Sequence, residues 1–209
     1  KKRKQSKVIS PLKTNSMSQM ELVKALREKT GAGIVDVKKA IDEAGGDQEK
    51  ALEILHKRGQ DKAAKKSDRD THEGIVISYV HSHKIGAMIK LYCETDFVAR
   101  NEDFVELGRD IAMHVSALAP RYVRPEDMPA EEVEKEKAIW KEELVKEGKP
   151  ENMIEQILSG KEEKFRKEQS LLGQAFVKDP SKTVGDLLTE NIHKIGENIQ
   201  VGAFVRYEM

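Results

Sequence analysis

Residues 73–99 have the sequence EGIVISYVHSHKIGAMIKLYCETDFVA, and this stretch decides the fold. Side chains of residues 75–80 alternate as expected of a strand, and residues 87–93 form a second apolar run. Residues 82–84 are polar and predict a turn, so the two runs indicate a β-hairpin. Residues 94–99 follow the hairpin and carry a single aromatic side chain, placed between the end of a strand and the start of a helix.

A third strand and several helices complete the predicted core. Residues 201–207 alternate again and are expected to join the hairpin. Asn101 can cap one helix and Thr183 another. The first of these helices has an apolar stripe formed by Phe104, Leu107, Gly108, Ile111, Val115 and Leu118. Between the two helices, residues 130–166 are dense in Glu and Lys, which predicts helices that project from the body or pack along a narrow seam.

Three further helices are predicted before the hairpin. Ser18 and Glu21 have the S-x-x-E spacing of a capping box. Asp47 can cap the third helix, and Gly59 is expected to end it. The second helix has one apolar face, formed by Val37, Ala40, Ile41 and Ala44. Residues 60–72 are highly charged and predict either a linker or a polar extension of the third helix.

These patterns predict an α+β protein with a helical module followed by a core built on a small antiparallel sheet of about three strands. The predicted segments are a flexible basic leader at 1–16, a three-helix module at 17–59, a linker at 60–72, the first part of the core at 73–128, a charged helical region at 129–170 and the second part of the core at 171–209.

The composition is typical of a soluble, helix-rich protein. The 209 residues are 38% hydrophobic, 35% charged and 5% aromatic. No apolar run approaches the ~20 residues that span a bilayer, and no secretory signal is visible. Cys93 is the single cysteine, which excludes an internal disulfide and favours a reducing compartment. We therefore expect a cytoplasmic protein without membrane contact.

The net charge is zero but unevenly placed along the chain. Residues 1–13 hold six of the 37 basic residues, which leaves 31 against 37 acidic residues in the rest. A nucleic-acid binder usually has a basic body, because phosphate contacts supply most of its affinity. The acidic body argues against direct nucleic-acid binding. The basic leader is interpreted as a flexible tail, an expression remnant or a misplaced start, since Met17 or Met20 begins the first convincing element. A localisation signal or an RNA-touching arm is the alternative.

Motifs that would support catalysis are weak. The Gly-rich segment at 30–33 lacks the P-loop spacing and follows no strand. His81 and His83 lie on one strand face and leave a metal site as an alternative, although no third ligand has convincing spacing. Cys93 ends an apolar strand and is more typical of a buried small residue than of a nucleophile. We expect no enzyme activity, no metal and no cofactor.

Two apolar residues do not fit a purely structural interpretation. Val35, beside Ile34, lies on the face of the second helix opposite its apolar stripe. Phe97 could fold back into the core or could be presented to a partner, where aromatic side chains are favoured anchors. The spacing does not decide between these two roles for Phe97.

The same segments resemble the elongation factor Ts family, and the resemblance covers residues 20–209. The opening signature is similar to residues 22–33 and continues through Asp36, Lys38-Lys39-Ala40 and Gly45-Gly46-Asp47. The core motif is similar to Thr95-Asp96-Phe97-Val98, and the C-terminal signature to residues 180–185 and 204–208. Three signatures in the correct order make the resemblance highly specific.

The resemblance implies a guanine nucleotide-exchange factor that releases GDP from elongation factor Tu. It implies that Asp96 and Phe97, with Thr95 and Val98, meet the nucleotide domain, where the ring disturbs the magnesium and phosphate site. Ile34 and Val35 would contact a helix of that domain, and His81 another part of the partner.

Longer members of the family have two sheet subdomains, whereas this sequence contains one hairpin and one set of core helices. It therefore resembles the short form, which implies a homodimer whose core is completed across two chains. Cys93 could face the dimer axis, although nothing requires an intermolecular bridge. The main alternative function is a binding adaptor, because the three-helix module also resembles ubiquitin-associated domains in outline.

Overall fold

A computed structural model describes residues 18–209, and the predicted basic leader lies outside this range. The chain divides into two compact units, Lys1–Leu55 and His56–Met209. Each unit has a separate hydrophobic core. The finer division into six segments stays a prediction. Within the described residues, no helix is long and apolar enough to cross a membrane.

The first unit contains α1 (Gln19–Thr30), α2 (Ile34–Glu43) and the beginning of α3 (Gln48–Ala64). Ser18 and Glu21 form the predicted capping box, and the Asp47 carboxylate accepts bonds from the first amides of α3. The core of this unit is formed by Leu22, Leu26, Ala32, Val37, Ala40, Ile41, Ala51 and Leu55.

The prediction that Gly59 ends the third helix is wrong, because α3 continues to Ala64. A glycine ends a helix by adopting a left-handed conformation, and Gly59 is not among the residues with positive φ. Instead, a side chain at Gly59 would meet Thr189 Cγ2 at 3.9 Å, and Ala63 packs against the larger core. Tertiary contacts therefore extend the helix. Of the two alternatives for residues 60–72, a linker or a polar extension of the third helix, the extension is the one observed as far as Ala64.

The second unit is built on an antiparallel sheet of β1 (Glu73–His81), β2 (Ile85–Cys93) and β5 (Gln200–Glu208), in the order β1-β2-β5. This confirms the predicted hairpin, its turn and the third strand, and with them the α+β class. A second hairpin, β3 (Ala175–Phe176) with β4 (Asp179–Thr183), was not predicted.

The remaining elements of this unit are helical. They are α4 (Asp96–Ala99), α5 (Glu102–Leu118), a 3-10 turn (Pro125–Asp127), α6 (Ala130–Lys146), α7 (Glu151–Gln169) and α8 (Val184–Ile195). The charged helices α6 and α7 pack against each other, with Trp140 edge-on to Phe165 at 5.5 Å between ring centroids. Their buried apolar residues are few, which fits the narrow seam predicted for these helices.

Helix α5 covers one face of the sheet. Asn101 caps it as predicted, and its apolar stripe packs against β1 and β2. At Gly108 a Cβ atom would lie 3.0 Å from Ile77 Cγ2, so glycine allows the helix to approach β1 closely. The core between α5 and the sheet includes Phe104, Ile111, Val115, Ile89 and Leu91.

His114 is a buried residue of α5 and is held in one neutral tautomer. Its Nδ1 accepts from the amide of Val177 at 3.2 Å, and its Nε2 is 3.0 Å from Gln174 Oε1. Because Nδ1 is an acceptor, the proton lies on Nε2 and donates to Gln174. Burial lowers the pKa of His114 below its ordinary value of 6.5, against a smaller raising effect of the Gln174 bond.

The lowered pKa predicts acid-sensitive stability. The unfolded chain takes up the His114 proton near pH 6.5, whereas the folded chain resists it, so stability is present above that pH and declines as the pH falls below it. We expect His114→Gln to reduce the fall in melting temperature between pH 7 and pH 5, measured by circular dichroism. His72→Gln is the control, because His72 is exposed; an equal reduction by both would contradict the assignment to His114.

Candidate partner-binding site

The segment that follows β2 forms a one-turn helix with an outward-facing aromatic ring. Thr95 is the N-cap of α4, and its hydroxyl accepts from the amide of Val98 at 3.4 Å. Val98 and Ala99 pack against the core, whereas Phe97 is 83% exposed. Of the two roles that the sequence left open for Phe97, the structure therefore excludes packing of the ring in the core.

The residues on either side of Phe97 in the sequence make polar contacts. Asp96 forms an ion pair with Arg100 at 3.1 Å on the surface of α4. Cys93 is buried just before the turn, and its thiol donates to the Thr95 carbonyl at 3.2 Å. Burial and, next, the charge of Glu197 raise the pKa of the Cys93 thiol to about 11, so the thiol stays protonated at neutral pH and remains a donor.

Cys93 lies on the helix-covered side of the sheet. It shares its face of β2 with Ala87, Ile89 and Leu91, all of them buried in the core. The thiol is therefore directed away from the exposed face of the sheet, and the idea that it faces a dimer axis has no support in this geometry.

The two apolar residues predicted at the start of α2 are exposed. Val35 is 64% exposed and Ile34 is 46% exposed, while Val37, Ala40 and Ile41 are buried. This confirms that Val35 lies off the buried stripe. Both residues belong to the first unit, so they form a surface on a part of the chain different from the one that carries Phe97.

His81 lies at the other end of the hairpin from Phe97. It is the last residue of β1, and its Nδ1 is 3.0 Å from the Tyr79 hydroxyl. In the register, His81 is opposite Ile85, whereas Cys93 is opposite Glu73. Eight residues of strand separate these ends by roughly 26 Å. The structure therefore does not bring His81 and the Phe97 turn together.

The metal alternative gains nothing from the geometry. His83 lies in the turn with a left-handed backbone, at φ 58°, while His81 is engaged with Tyr79. Between residues 18 and 209 no group of three or more His, Cys, Asp or Glu side chains is arranged to hold a metal ion.

Comparison with known sequences decides the family. Residues 21–209 match the sequence profile of the family described as Elongation factor TS. The chain belongs to the elongation factor Ts family. It is 55% identical to Elongation factor Ts of Thermosipho melanesiensis over 192 residues, which cover 91% of this chain and 98% of the relative. It is 54% identical to Elongation factor Ts of Fervidobacterium nodosum over 190 residues, which cover 90% of this chain and 96% of the relative.

Membership in the elongation factor Ts family makes this chain a translation elongation factor of bacterial type, in a family whose members exchange nucleotide on elongation factor Tu. Elongation factor Ts of Thermodesulfovibrio yellowstonii, 51% identical over 90% of this chain and 94% of the relative, is a further bacterial example. The matched range includes all three signatures found in the sequence and both candidate surfaces.

Sequence reasoning missed the residues that support the Phe97 turn. Glu197 accepts bonds from the amides of Glu94 and Thr95, both at 3.0 Å, and from the Thr95 hydroxyl at 2.6 Å. The Glu94 carboxylate in turn accepts from the amide of Asn198 at 2.6 Å. Nothing in the spacing of a loop acid more than 100 residues away indicates this contact. Only the position of Glu197, three residues before the strand β5 that pairs with β2, could have indicated it.

Proposed function

We propose that this chain promotes GDP release from elongation factor Tu by inserting Phe97 near the magnesium and phosphate site of that GTPase. The observation that carries this proposal is an aromatic ring left 83% exposed on a turn whose neighbours are anchored in the core. Exposed aromatic side chains on ordered backbone are typical anchors of protein interfaces. Thr95 and Val98 hold the turn, while Asp96 and Phe97 face outwards to meet the partner.

The energetics require more than one contact. If binding of the factor weakens GDP affinity, GDP weakens binding of the factor by the same ratio. Each tenfold change corresponds to ~1.4 kcal/mol, so several decades require about 4–7 kcal/mol of differential contact. A phenylalanine buried in a packed pocket can supply a good share of this, since its truncation typically costs about 3–5 kcal/mol. We infer that Asp96 and the Ile34–Val35 surface contribute the remainder.

His81 is proposed to contact a second region of the same partner. A standard interface buries about 800 Å² on each partner, which corresponds to a patch roughly 30 Å across. The separation of roughly 26 Å between the ends of the hairpin fits within that span. Phe97 and His81 can therefore contact different parts of elongation factor Tu in one complex.

We also propose that the chain is a homodimer that pairs through the outer face of its sheet. In the register, Val80, Met88 and Val205 lie on the face opposite α5. Antiparallel sheets with one solvated face normally carry polar side chains there. This face instead exposes the large apolar residues Val76, Val80, Met88, Val205 and Tyr207. A second copy would cover them, since a two-fold interface brings the same patch together from both chains.

Met88→Glu is expected to convert the dimer into a monomer. Met88 is on the central strand, so two copies would bury like charges at the centre of the interface. Analytical ultracentrifugation should give twice 23.6 kDa for the parent and 23.6 kDa for the variant. Met153→Glu on α7 is the matched control, because Met153 is 47% exposed against 48% for Met88. A monomeric parent, or a dimeric Met88→Glu, would contradict the proposal.

We infer that the protein acts by binding alone, in the cytoplasm, without a cofactor and without direct nucleic-acid contact. The lone cysteine and the mildly acidic body support this inference. The exchange of bound nucleotide needs no covalent step, because the coupling of two binding equilibria is sufficient.

The deciding experiment is the release of a fluorescent GDP analogue from elongation factor Tu, followed with and without this chain. Acceleration by the chain supports the exchange function. Binding without acceleration would overturn it and favour the adaptor, in which the three-helix unit holds a partner without changing nucleotide release.

A further inference from the structure

The backbone that carries Phe97 is fastened by one side chain from the far end of the sequence. Glu197 lies between α8 and β5. One of its carboxylate oxygens accepts from the amides of Glu94 and Thr95, and the other accepts from the Thr95 hydroxyl. We propose that Glu197 is a positioning residue for exchange, which sets the orientation of the turn that presents Phe97. The inference rests on the proposed function of Phe97.

The contact is transmitted along α4 through the Thr95 hydroxyl. This hydroxyl donates to Glu197 and, with its own oxygen, accepts from the amide of Val98. A hydroxyl that donates in a fixed direction has its lone pairs fixed as well, so Glu197 orients the N-cap of α4. Phe97 lies between these two bonded positions, and its backbone direction follows from them.

A second carboxylate holds the same turn by a reciprocal bond, in which a residue of the turn is the acceptor. Glu94 accepts from the amide of Asn198 and forms an ion pair with Arg69 at 3.5 Å. The Asn198 side chain is buried and donates to the carbonyls of Ser67 and Arg69. The end of β2 is therefore tied both to the start of β5 and to the segment after α3. Arg69 offsets part of the charge of the Glu94 carboxylate.

The arrangement matters for presentation because α4 is too short to be stable by itself. A helix of four residues forms only when outside contacts fix its ends. Val98 and Ala99 fix its C-terminal half through the core, and Glu197 fixes its N-terminal half. Phe97 is largely exposed and supplies little ordering of its own. An ordered turn places the ring in its binding position before contact, which lowers the entropy lost on association.

The test compares Glu197→Ala and Glu197→Gln in the full chain. Alanine removes all three bonds. Glutamine keeps the shape, since its carbonyl can accept from the two amides while its NH₂ donates to the Thr95 oxygen. Glu190→Ala is the matched control: Glu190 is a partly buried acid on α8 that pairs with Lys182 at 2.6 Å and does not touch the turn. Each variant is also made together with Phe97→Ala.

Two readouts are measured, hydrogen exchange of the Glu94 and Thr95 amides by NMR and release of fluorescent GDP from elongation factor Tu. We expect Glu197→Ala to speed exchange of both amides and to slow the accelerated GDP release by about tenfold, the equivalent of one or two net hydrogen bonds. Glu197→Gln should recover most of both properties, and Glu190→Ala should leave both at the parent value.

Combination with Phe97→Ala separates positioning from general stability. If Glu197 acts through the ring, Glu197→Ala has no further effect on GDP release once Phe97 is absent. The proposal would be overturned if Glu197→Ala slowed GDP release equally with and without Phe97. It would also be overturned if Glu197→Ala left either the hydrogen exchange of the Glu94 and Thr95 amides or the rate of GDP release unchanged. If the parent chain itself does not accelerate GDP release, the proposed function fails. Unchanged hydrogen exchange of the Glu94 and Thr95 amides in Glu197→Ala would show separately that Glu197 does not order the turn.

Discussion

Phe97→Ala is expected to remove most of the acceleration of GDP release while leaving the fold intact. The ring is largely exposed in the free protein, so its removal deletes little buried apolar surface. In the complex, the same ring would be an interface anchor, and truncating such an anchor typically costs ~2 kcal/mol or more. The rate of stimulated release should therefore fall by about 30-fold or more, measured by stopped-flow fluorescence.

Controls for Phe97→Ala separate the ring from general loss of apolar surface. Ile139→Ala removes an exposed apolar side chain from α6 and should exchange nucleotide like the parent. Phe97→Leu keeps apolar bulk without the ring and should give an intermediate rate. The melting temperature of Phe97→Ala should match that of the parent. If Phe97→Ala accelerated GDP release as much as the parent does, the proposed role of the ring would be contradicted.

The sequence was informative where the signal was local. Alternation in 75–80 and a polar turn at 82–84 define a hairpin, because strand period and turn chemistry act over a few residues. The caps at Ser18, Asn101 and Thr183 were readable for the same reason, since an N-cap side chain bonds to amides two or three residues away.

The errors arose where distant contacts override local preference. Gly59 has the weakest helical propensity apart from proline, yet the helix continues through it beside Thr189. The second hairpin was missed because β4 contains Pro180 among polar residues and has no alternating pattern. Phe176, on its partner strand, is buried, which supplies the tertiary contact that the pattern lacks.

The candidate site shows the same division. Exposure of Val35 followed from helical period, but exposure of Phe97 did not follow from any spacing. The difference has a physical reason. A helical wheel fixes which face a residue occupies, whereas the orientation of a side chain after a strand depends on what fastens the backbone. The bonds from Glu197 hold that backbone, and local sequence patterns cannot indicate them because Glu197 is 102 residues from Thr95 in the sequence.

Phe104→Ala makes the same chemical change as Phe97→Ala and should have the opposite consequence. Phe104 lies on the buried face of α5 and is fully buried in the core. Its truncation should lower the free energy of unfolding of the second unit by about 3–5 kcal/mol, because it leaves a cavity that the packed sheet cannot fill. For a unit of this size the melting temperature should fall by roughly 6–20 °C, measured by calorimetry. A melting temperature within experimental error of the parent would contradict the assignment of Phe104 to the core.

Phe104→Ala also sharpens the interpretation of Phe97. Well below its melting temperature the variant is still folded, and Glu197 still bonds to the turn, so each folded molecule should accelerate GDP release as the parent does. One phenylalanine is then required for stability and the other for exchange, although only a few residues separate them. If Phe104→Ala lost exchange activity while still folded, presentation of Phe97 would depend on the packing of α5 against the core, and the bonds from Glu197 would be insufficient to hold the turn.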